Sequence, residues 1–160
     1  MVLGAAAPLT SNPPARVIYL IRGLASEETR EQSLDVLCKN RLTYDNLAVL
    51  LWKSFGTMSV LLQIITSAYR ALSSDGLTEK ALTQVCNAIA LFQVTSLLSH
   101  QIQLFLVALI EINISFVATM PVYLYPFLNT MSNEKSYECL RITSLGMIGC
   151  LRCMQVGKTL

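Results

Sequence analysis

The sequence predicts an all-α fold of stacked helical hairpins, and three observations support this prediction. Apolar residues recur at spacings of three and four over most of the chain, as the buried face of a helix requires. Turn-forming residues, such as Gly56 and the SSDG cluster at 73–76, separate these segments. We find no alternation of period two followed by hairpin turns, which would indicate paired strands. Successive antiparallel helices in one chain indicate an α-solenoid, whose core forms by stacking.

The composition is unusually apolar for a chain of 160 residues. Hydrophobic residues make up 53% and charged residues 14% of it, and the mean hydropathy is +0.51. Because an average soluble chain carries about 25% charged residues, we expect helices buried on several faces, or a surface that meets a partner or lipid. The net charge is only +2 and the basic residues are scattered, so no basic stripe indicates non-specific nucleic-acid binding.

The cysteines and the two ends of the chain indicate its redox environment and its domain organisation. An odd number of cysteines, mostly within apolar helical patterns, predicts reduced thiols of a cytosolic or nuclear chain rather than a disulfide framework. The first residues lack the pattern of a signal peptide. We expect a disordered leader over 1–14, one helical domain over 15–155 and a tail over 156–160. The five cysteines are Cys38, Cys86, Cys139, Cys150 and Cys153.

Two helices are predicted before the central part of the chain. The first runs from Arg16 to Ala25. The second begins after Ser26, whose side chain suits a helix cap, and it runs to about Lys39. The carboxylates of Glu27 and Glu28 would stabilise its N-terminal end, which carries a partial positive charge. The residues that we expect these helices to bury are Val17, Ile18, Leu20, Ile21, Leu24, Leu34, Val36 and Leu37.

The central hairpin is predicted to turn sharply at Gly56. A helix capped by Asp45 ends at Ser54 and carries Trp52, the only tryptophan. Gly56 can take the left-handed conformation that closes it, because glycine has no Cβ. Thr57 then caps the next helix. That helix is expected to bury Leu61, Ile64, Ile65, Ala68 and Leu72.

Three further segments complete the helical pattern. Thr78 opens a helix that runs to about Ser99. Pro121 and Pro126 are expected to break the next apolar segment, because proline lacks the N–H that a helix interior needs. A last helix follows the polar loop 129–136. The predicted buried residues are Leu82, Val85, Ile89 and Phe92 in the first of these helices, and Leu140, Ile142, Leu145, Ile148 and Leu151 in the last.

The apolar run 104–124 is long enough for a membrane span, since about 20 residues suffice. Glu111 and Asn113 lie near its middle, where a charge costs about 2.5–3.5 kcal/mol on insertion scales, and Pro121 interrupts its far end. We therefore favour a solenoid helix, and we keep a small membrane-associated helical protein as the alternative.

The sequence lacks the groups of histidine, cysteine and carboxylate residues that catalysis or metal binding usually needs. His100 is the only histidine, and the Cys150–Cys153 C-x-x-C pair has no second pair, whereas a structural zinc site takes four ligands. We predict no metal, no cofactor and no enzymatic activity.

Five segments in order resemble one known family. They are 26–31 (SEETRE), 51–57 (LWKSFGT), 85–91 (VCNAIAL), 123–128 (YLYPFL) and 140–149 (LRITSLGMIG). Together they resemble the required-for-cell-differentiation family, the ninth-subunit type of the CCR–NOT mRNA deadenylase complex, over about residues 16–150. The matched part corresponds to about the first half of a family member, which predicts a truncated or divergent member. A degenerate, non-functional paralogue is a further alternative.

The resemblance implies an armadillo-type adaptor without catalysis, which couples mRNA targets to poly(A) shortening. It implies docking of the NOT scaffold subunit at Trp52, Lys53, Phe55 and Ser59. The family usually has histidine at the position of Lys53 and alanine at that of Ser59.

The resemblance also implies further partners and a location. Regulatory or RNA-binding proteins are expected partners, whereas direct contact with RNA and dimerisation are left open. Arg141 is a weak candidate for contact with an RNA phosphate, and pairing with Glu138 or with an adjacent helix is the simpler interpretation. The expected location is the cytoplasm, including P-bodies, and the nucleus.

Overall fold

The computed structural model describes residues 13–44, 46–73, 76–102 and 119–156, and the regular elements in these ranges are α-helices. The predicted all-α class is confirmed. Residues 1–12 of the predicted leader over 1–14, Asp45 and most of the 104–124 run lie outside the described residues, and residues 13 and 14 are already helical. The helices are α1 (Pro13–Gly23), α2 (Glu27–Lys39), α3 (Leu47–Lys53), α4 (Thr57–Ser67), α5 (Tyr69–Ser73), α6 (Glu79–Ile102), α7 (helical over 119–128) and α8 (Lys135–Val156).

Helix α6 lies at the centre of the core and packs against α2, α3, α4 and α8. Its predicted stripe is buried, and the side chain of Ala88 is fully buried as well. A methyl group at this position lets neighbouring helices approach closely, so α6 can contact several of them. Thr78 accepts a hydrogen bond from the backbone N–H of Ala81 at 3.2 Å, which supports the predicted helix start. The buried stripe is Leu82, Val85, Ile89 and Phe92.

Helices α6 and α8 run in the same direction. The Nε2 atom of Gln93 donates to the backbone oxygen of Thr143 at 3.5 Å. One turn further along both helices, the Ser96 hydroxyl lies 4.0 Å from the sulfur of Met147. Contacts that advance together along two helices show that the helices are parallel.

Helix α2 also packs against α6 and runs parallel to it. Near the two N-terminal ends, the Nζ atom of Lys80 forms an ion pair with Glu31 Oε2 at 2.6 Å. Further along both helices, burial raises the pKa of the Cys86 thiol, and the charge of Cys38 in α2 adds to this effect. Three parallel helices, each separated by segments that return the chain, form the stack expected of an α-solenoid.

The turn between α1 and α2 is held by side chains of α2. The Thr29 hydroxyl donates to the Gly23 carbonyl at 2.8 Å, and Arg30 Nε donates to the Leu24 carbonyl at 2.9 Å. Ser26 takes the predicted cap position with extended backbone, although its side chain makes no capping hydrogen bond. The free carbonyls at the end of α1 therefore find partners across the turn.

Pro126 lies inside the described helix, so the prediction that it breaks the segment is wrong. The residues before 119 lie outside the described residues, so the prediction for Pro121 stays a prediction. Residues 119–128 are helical through Pro121 and Pro126. Proline has a φ near that of a helix, but it removes one backbone hydrogen bond and its ring crowds the carbonyl four residues earlier. Pro126 would leave the carbonyl of exposed Val122 without its helical donor, and this carbonyl lies where water can reach it. The helix ends two residues after Pro126.

Helix α8 buries only part of the predicted stripe, since Leu140 and Leu151 are buried and Ile148 is half-buried. Ile142 and Leu145 are 64% and 62% exposed, because they lie on the side of the helix away from α6. The buried side includes a tyrosine and a serine, which an apolar pattern does not select. Its members are Tyr137, Leu140, Ser144, Met147 and Leu151.

Replacing Tyr137 with phenylalanine is expected to destabilise the fold. The Tyr137 hydroxyl accepts the backbone N–H of Leu77 at 2.6 Å in a buried setting, and it ties α8 to the start of α6. Tyr137→Phe leaves that N–H without a partner, so we expect a loss of about 1–3 kcal/mol in the free energy of unfolding. Urea unfolding followed by circular dichroism measures it, with Tyr125→Phe at an exposed position as the matched control. If Tyr137→Phe and Tyr125→Phe were equally stable, the hydrogen bond between Leu77 and Tyr137 would not stabilise the fold.

Among the described helices, none is by itself both long and apolar enough to cross a membrane. The bent pair formed by Leu47–Lys53 and Thr57–Ser73 meets those criteria only when its two arms are taken together.

Candidate partner-docking site

The predicted docking residues lie at a sharp corner between α3 and α4. The axes of Leu47–Lys53 and Thr57–Ser73 differ by 92°. Helix α3 ends at Lys53, one residue earlier than predicted. Ser54 closes it twice, since its backbone N–H and its hydroxyl donate to the Leu50 carbonyl at 3.0 and 2.7 Å. The corner is therefore held by hydrogen bonds of its own residues.

Gly56 provides the conformation that the corner needs. Its φ is 77° and its ψ is −8°, in the left-handed region, as predicted. It caps the start of α4 rather than the end of α3, and its carbonyl accepts the N–H of Val60 at 3.0 Å. The prediction that Thr57 caps α4 is wrong. Thr57 is the first helical residue, and no side chain caps the helix, because the glycine before it already makes the turn.

Replacing Gly56 with alanine is expected to cost about 1–2 kcal/mol of stability, the usual penalty of a left-handed conformation for a residue with a Cβ. A Cβ at Gly56 would meet no atom within 4 Å, so the penalty comes from the backbone alone. Gly149 lies inside α8 with equally open space, and Gly149→Ala is expected to stabilise by about 0.5–1 kcal/mol. Thermal unfolding of both variants measures these changes, and we expect the melting temperature to fall for Gly56→Ala and to rise for Gly149→Ala. Melting temperatures that shift in the same direction would contradict the two predictions.

The corner brings three predicted docking residues to the surface. The Phe55 side chain is fully exposed, at 105% of its reference area, and Lys53 and Ser59 are exposed beside it in the chain. Trp52 is half-buried, so the two aromatic residues differ in exposure: the Trp52 side chain is partly covered, and that of Phe55 is not. An exposed aromatic side chain is a typical anchor of a protein interface.

The core beneath fixes the position of the corner. Leu47 and Leu51 of α3, and Leu61 and Ile65 of α4, are buried. These four residues attach both arms of the corner to the same hydrophobic cluster. Phe55 is therefore displayed on a supported turn between two packed helices.

Two residues of α4 were not predicted as part of this surface. Met58 and Leu62 are half-buried and one turn apart on the helix. Their spacing of four places them on one face, which gives α4 an apolar margin next to exposed Ser59. In the sequence alone they cannot be told from core residues, because both belong to the helical apolar pattern.

Arg141, the weak nucleic-acid candidate, lies elsewhere. It is half-buried on α8, and its Nη1 atom donates to the Ser132 carbonyl at 2.9 Å and to the Thr130 carbonyl at 3.1 Å. The Thr130 hydroxyl is 3.2 Å from the same atom. These bonds hold the loop before α8 and take the place of the expected ion pair with Glu138. Contact of Arg141 with RNA stays a prediction.

The described part of the chain contains no group of three or more cysteine, histidine or carboxylate side chains that could hold a metal ion. Four cysteines are free thiols there, namely Cys38, Cys86, Cys139 and Cys150.

The fold and the corner can be compared with known proteins. The model of the Rcd1-like cell differentiation family matches residues 20–156. The chain is 44% identical over 139 residues to cell differentiation protein rcd1 of Schizosaccharomyces pombe, covering 86% of this chain and 45% of that protein. It is 42% identical over 135 residues to protein CAF40 of Saccharomyces cerevisiae, covering 84% of this chain and 34% of that protein.

The matched region includes the corner and every helix from α2 to α8. The chain spans less than half the length of both relatives. A family model that covers most of the chain, together with relatives of this identity, establishes descent: the chain belongs to the Rcd1-like cell differentiation family.

Proposed function

We propose that the chain is a non-enzymatic, armadillo-type adaptor of the CCR–NOT deadenylase complex, and that it docks the NOT scaffold subunit with the corner surface formed by Trp52, Lys53, Phe55 and Ser59. By presenting helix faces to the scaffold and to regulators, it links selected mRNAs to poly(A) shortening. The adaptor would act in the cytoplasm, including P-bodies, and in the nucleus. Family membership supports the complex, and the geometry of the corner supports the docking surface.

The observation that carries the proposal is the full exposure of Phe55 on a supported turn. A free phenylalanine ring exposes apolar area to water at a cost of about 25 cal/mol per Å². A partner that covers the ring recovers this free energy. Because Leu51 and Leu61 hold the two arms in the core, little conformational entropy is lost when the partner binds.

The polar residues of the corner surface orient the bound partner and contribute less to the affinity than Phe55 does. Lys53 ends α3 and Ser59 lies in the first turn of α4, so they stand on the two sides of Phe55. The Lys53 stem can lie along an apolar partner while its ammonium stays in water. This arrangement fits a partner with an apolar groove and an acidic or carbonyl-rich rim.

Capture of the NOT scaffold's binding segment by the purified, tagged full chain tests the proposal. We expect retention by the wild type and loss with Ser59→Trp, since an indole at this position holds the partner away from Phe55. Thr83→Trp, at an exposed position of α6, is the matched control and is expected to bind as the wild type does. Circular dichroism confirms that each protein is helical before the assay.

Two results would overturn the proposal. The first is no capture by a wild-type chain that is folded and in solution. The second is equal capture by the wild type and Ser59→Trp, which would move the docking surface away from the corner.

A further inference from the structure

The side of helix α8 that faces away from α6 carries an exposed stripe with an apolar centre. Helix α8 packs against α6, and on its other side Ile142 and Leu145 are 64% and 62% exposed. Exposed positions recur there at spacings of four, three, four and three residues, which is the heptad spacing with which one helix packs along another. We call these positions the α8 stripe, and its members are Glu138, Ile142, Leu145, Gly149 and Arg152.

The charges of the α8 stripe are placed symmetrically about Leu145. Glu138 lies seven positions before Leu145 and Arg152 lies seven positions after it, so each charge is about 10 Å from Leu145 along the helix axis. Both charged side chains are exposed, and the ion pairs within the described part of the chain involve other residues, on α2 and α6. The stripe is therefore acidic at its first end, apolar in the middle and basic at its last end.

A stripe of this kind is complementary to an antiparallel copy of itself. If a second α8 crosses the first at Leu145 in the opposite direction, Glu138 of each copy comes level with Arg152 of the other. A parallel copy would instead bring Glu138 level with Glu138 and Arg152 level with Arg152, so that like charges meet at both ends. The charges therefore favour the antiparallel arrangement, in which both copies use the same surface, as in an isologous contact about a two-fold axis.

We propose that the α8 stripe is the interface of an antiparallel homodimer of this chain, with Leu145 on the two-fold axis and Glu138 of each copy paired with Arg152 of the other. The apolar centre supplies most of the affinity, because the contact removes the side chains of Ile142 and Leu145 from water. Exposed ion pairs add little affinity, but they fix the direction and register of the two helices. Since the corner surface belongs to α3 and α4, each dimer carries two such corners.

Sedimentation equilibrium of the purified full chain tests the interface. We expect the wild type to reach the mass of two 17.7 kDa chains, with a dimer Kd in the micromolar range. Glu138→Arg and Arg152→Glu should each raise this Kd about tenfold or more, since like charges then face each other at both ends. Mixing the two variants should restore the dimer, because every acidic residue again meets a basic one. Glu79→Arg, which reverses an exposed carboxylate in the first turn of α6, is the matched control and should keep the wild-type Kd.

Leu145→Asp tests the apolar centre of the interface. Two carboxylates would meet on the two-fold axis, so we expect the dimer Kd to rise about 100-fold or more. Leu42→Asp, at a residue that is 85% exposed and lies outside the α8 stripe, should leave the Kd within about threefold of the wild-type value. Circular dichroism confirms that each variant is helical. The melting temperature of the wild type should also rise with protein concentration, because its unfolding is linked to dissociation, and this readout needs no variant.

Two results would overturn the proposal. The first is a folded wild-type chain that stays monomeric up to about 100 μM, well above the expected Kd. The second is a dimer whose Kd is unchanged by Leu145→Asp, or one that mixing Glu138→Arg with Arg152→Glu does not restore, since self-association would then use another surface.

Discussion

Phe127→Ala is expected to destabilise the fold more than the other substitutions considered. The Phe127 ring is fully buried, and its centroid lies 5.5 Å from that of Tyr69 at an interplanar angle of 50°. The Tyr69 hydroxyl in turn donates to the Tyr123 carbonyl at 2.6 Å, so this pair attaches α7 to α5. Removing a buried phenylalanine costs about 3–5 kcal/mol, a large part of the roughly 5–15 kcal/mol that stabilises a typical protein.

Denaturant unfolding of the purified chain measures this loss. Val122→Ala is the matched control, since it lies in the same helix on the exposed side and should change stability by less than about 0.5 kcal/mol. If the two variants were equally stable, α7 would not be part of the cooperative core, and the connection through Tyr69 would have to be abandoned.

Phe55→Ala is expected to have the largest effect on binding. An aromatic anchor at the centre of an interface contributes about 2–4 kcal/mol, so the Kd for the NOT scaffold's binding segment should rise about 30- to 1,000-fold. Stability should stay within about 0.5 kcal/mol of the wild type, because the side chain makes no part of the core. Isothermal titration calorimetry and thermal unfolding measure the two quantities on the same sample.

Leu42→Ala controls for a general effect of exposed apolar area. Leu42 is 85% exposed and lies in the turn between α2 and α3, outside the predicted surface. We expect the Kd of the Leu42→Ala variant for the NOT scaffold's binding segment to stay within about threefold of the wild-type value. A similar loss from both substitutions would show that binding follows total apolar exposure rather than the corner.

Helical periodicity predicted the buried faces well where a helix has one apolar stripe. Leu61, Ile64 and Ile65 in α4 are examples, since spacing alone identifies the face that meets the core. Helix α8 carries apolar residues all round, so spacing could not decide between its faces. The neighbouring α6 selects the face with Tyr137 and Ser144, and this choice depends on tertiary packing.

The corner and the contact between Tyr137 and Leu77 show the same limit. Phe55 and Gly56 are adjacent in sequence, so a turn signal and a family motif were enough to predict the corner. Tyr137 and Leu77 are 60 positions apart in the chain, and no local pattern links them. The packing of α8 against α6 brings the Tyr137 hydroxyl to the Leu77 N–H, and only the fold supplies this contact.

Hydrogen–deuterium exchange of the full chain, with and without the NOT scaffold's binding segment, tests the docking surface most directly. We predict that binding slows exchange at residues 52–60, around Phe55 and Gly56, and leaves α8 unchanged. Slower exchange confined to α8, with residues 52–60 unaffected in a complex shown to have formed, would contradict docking at the corner.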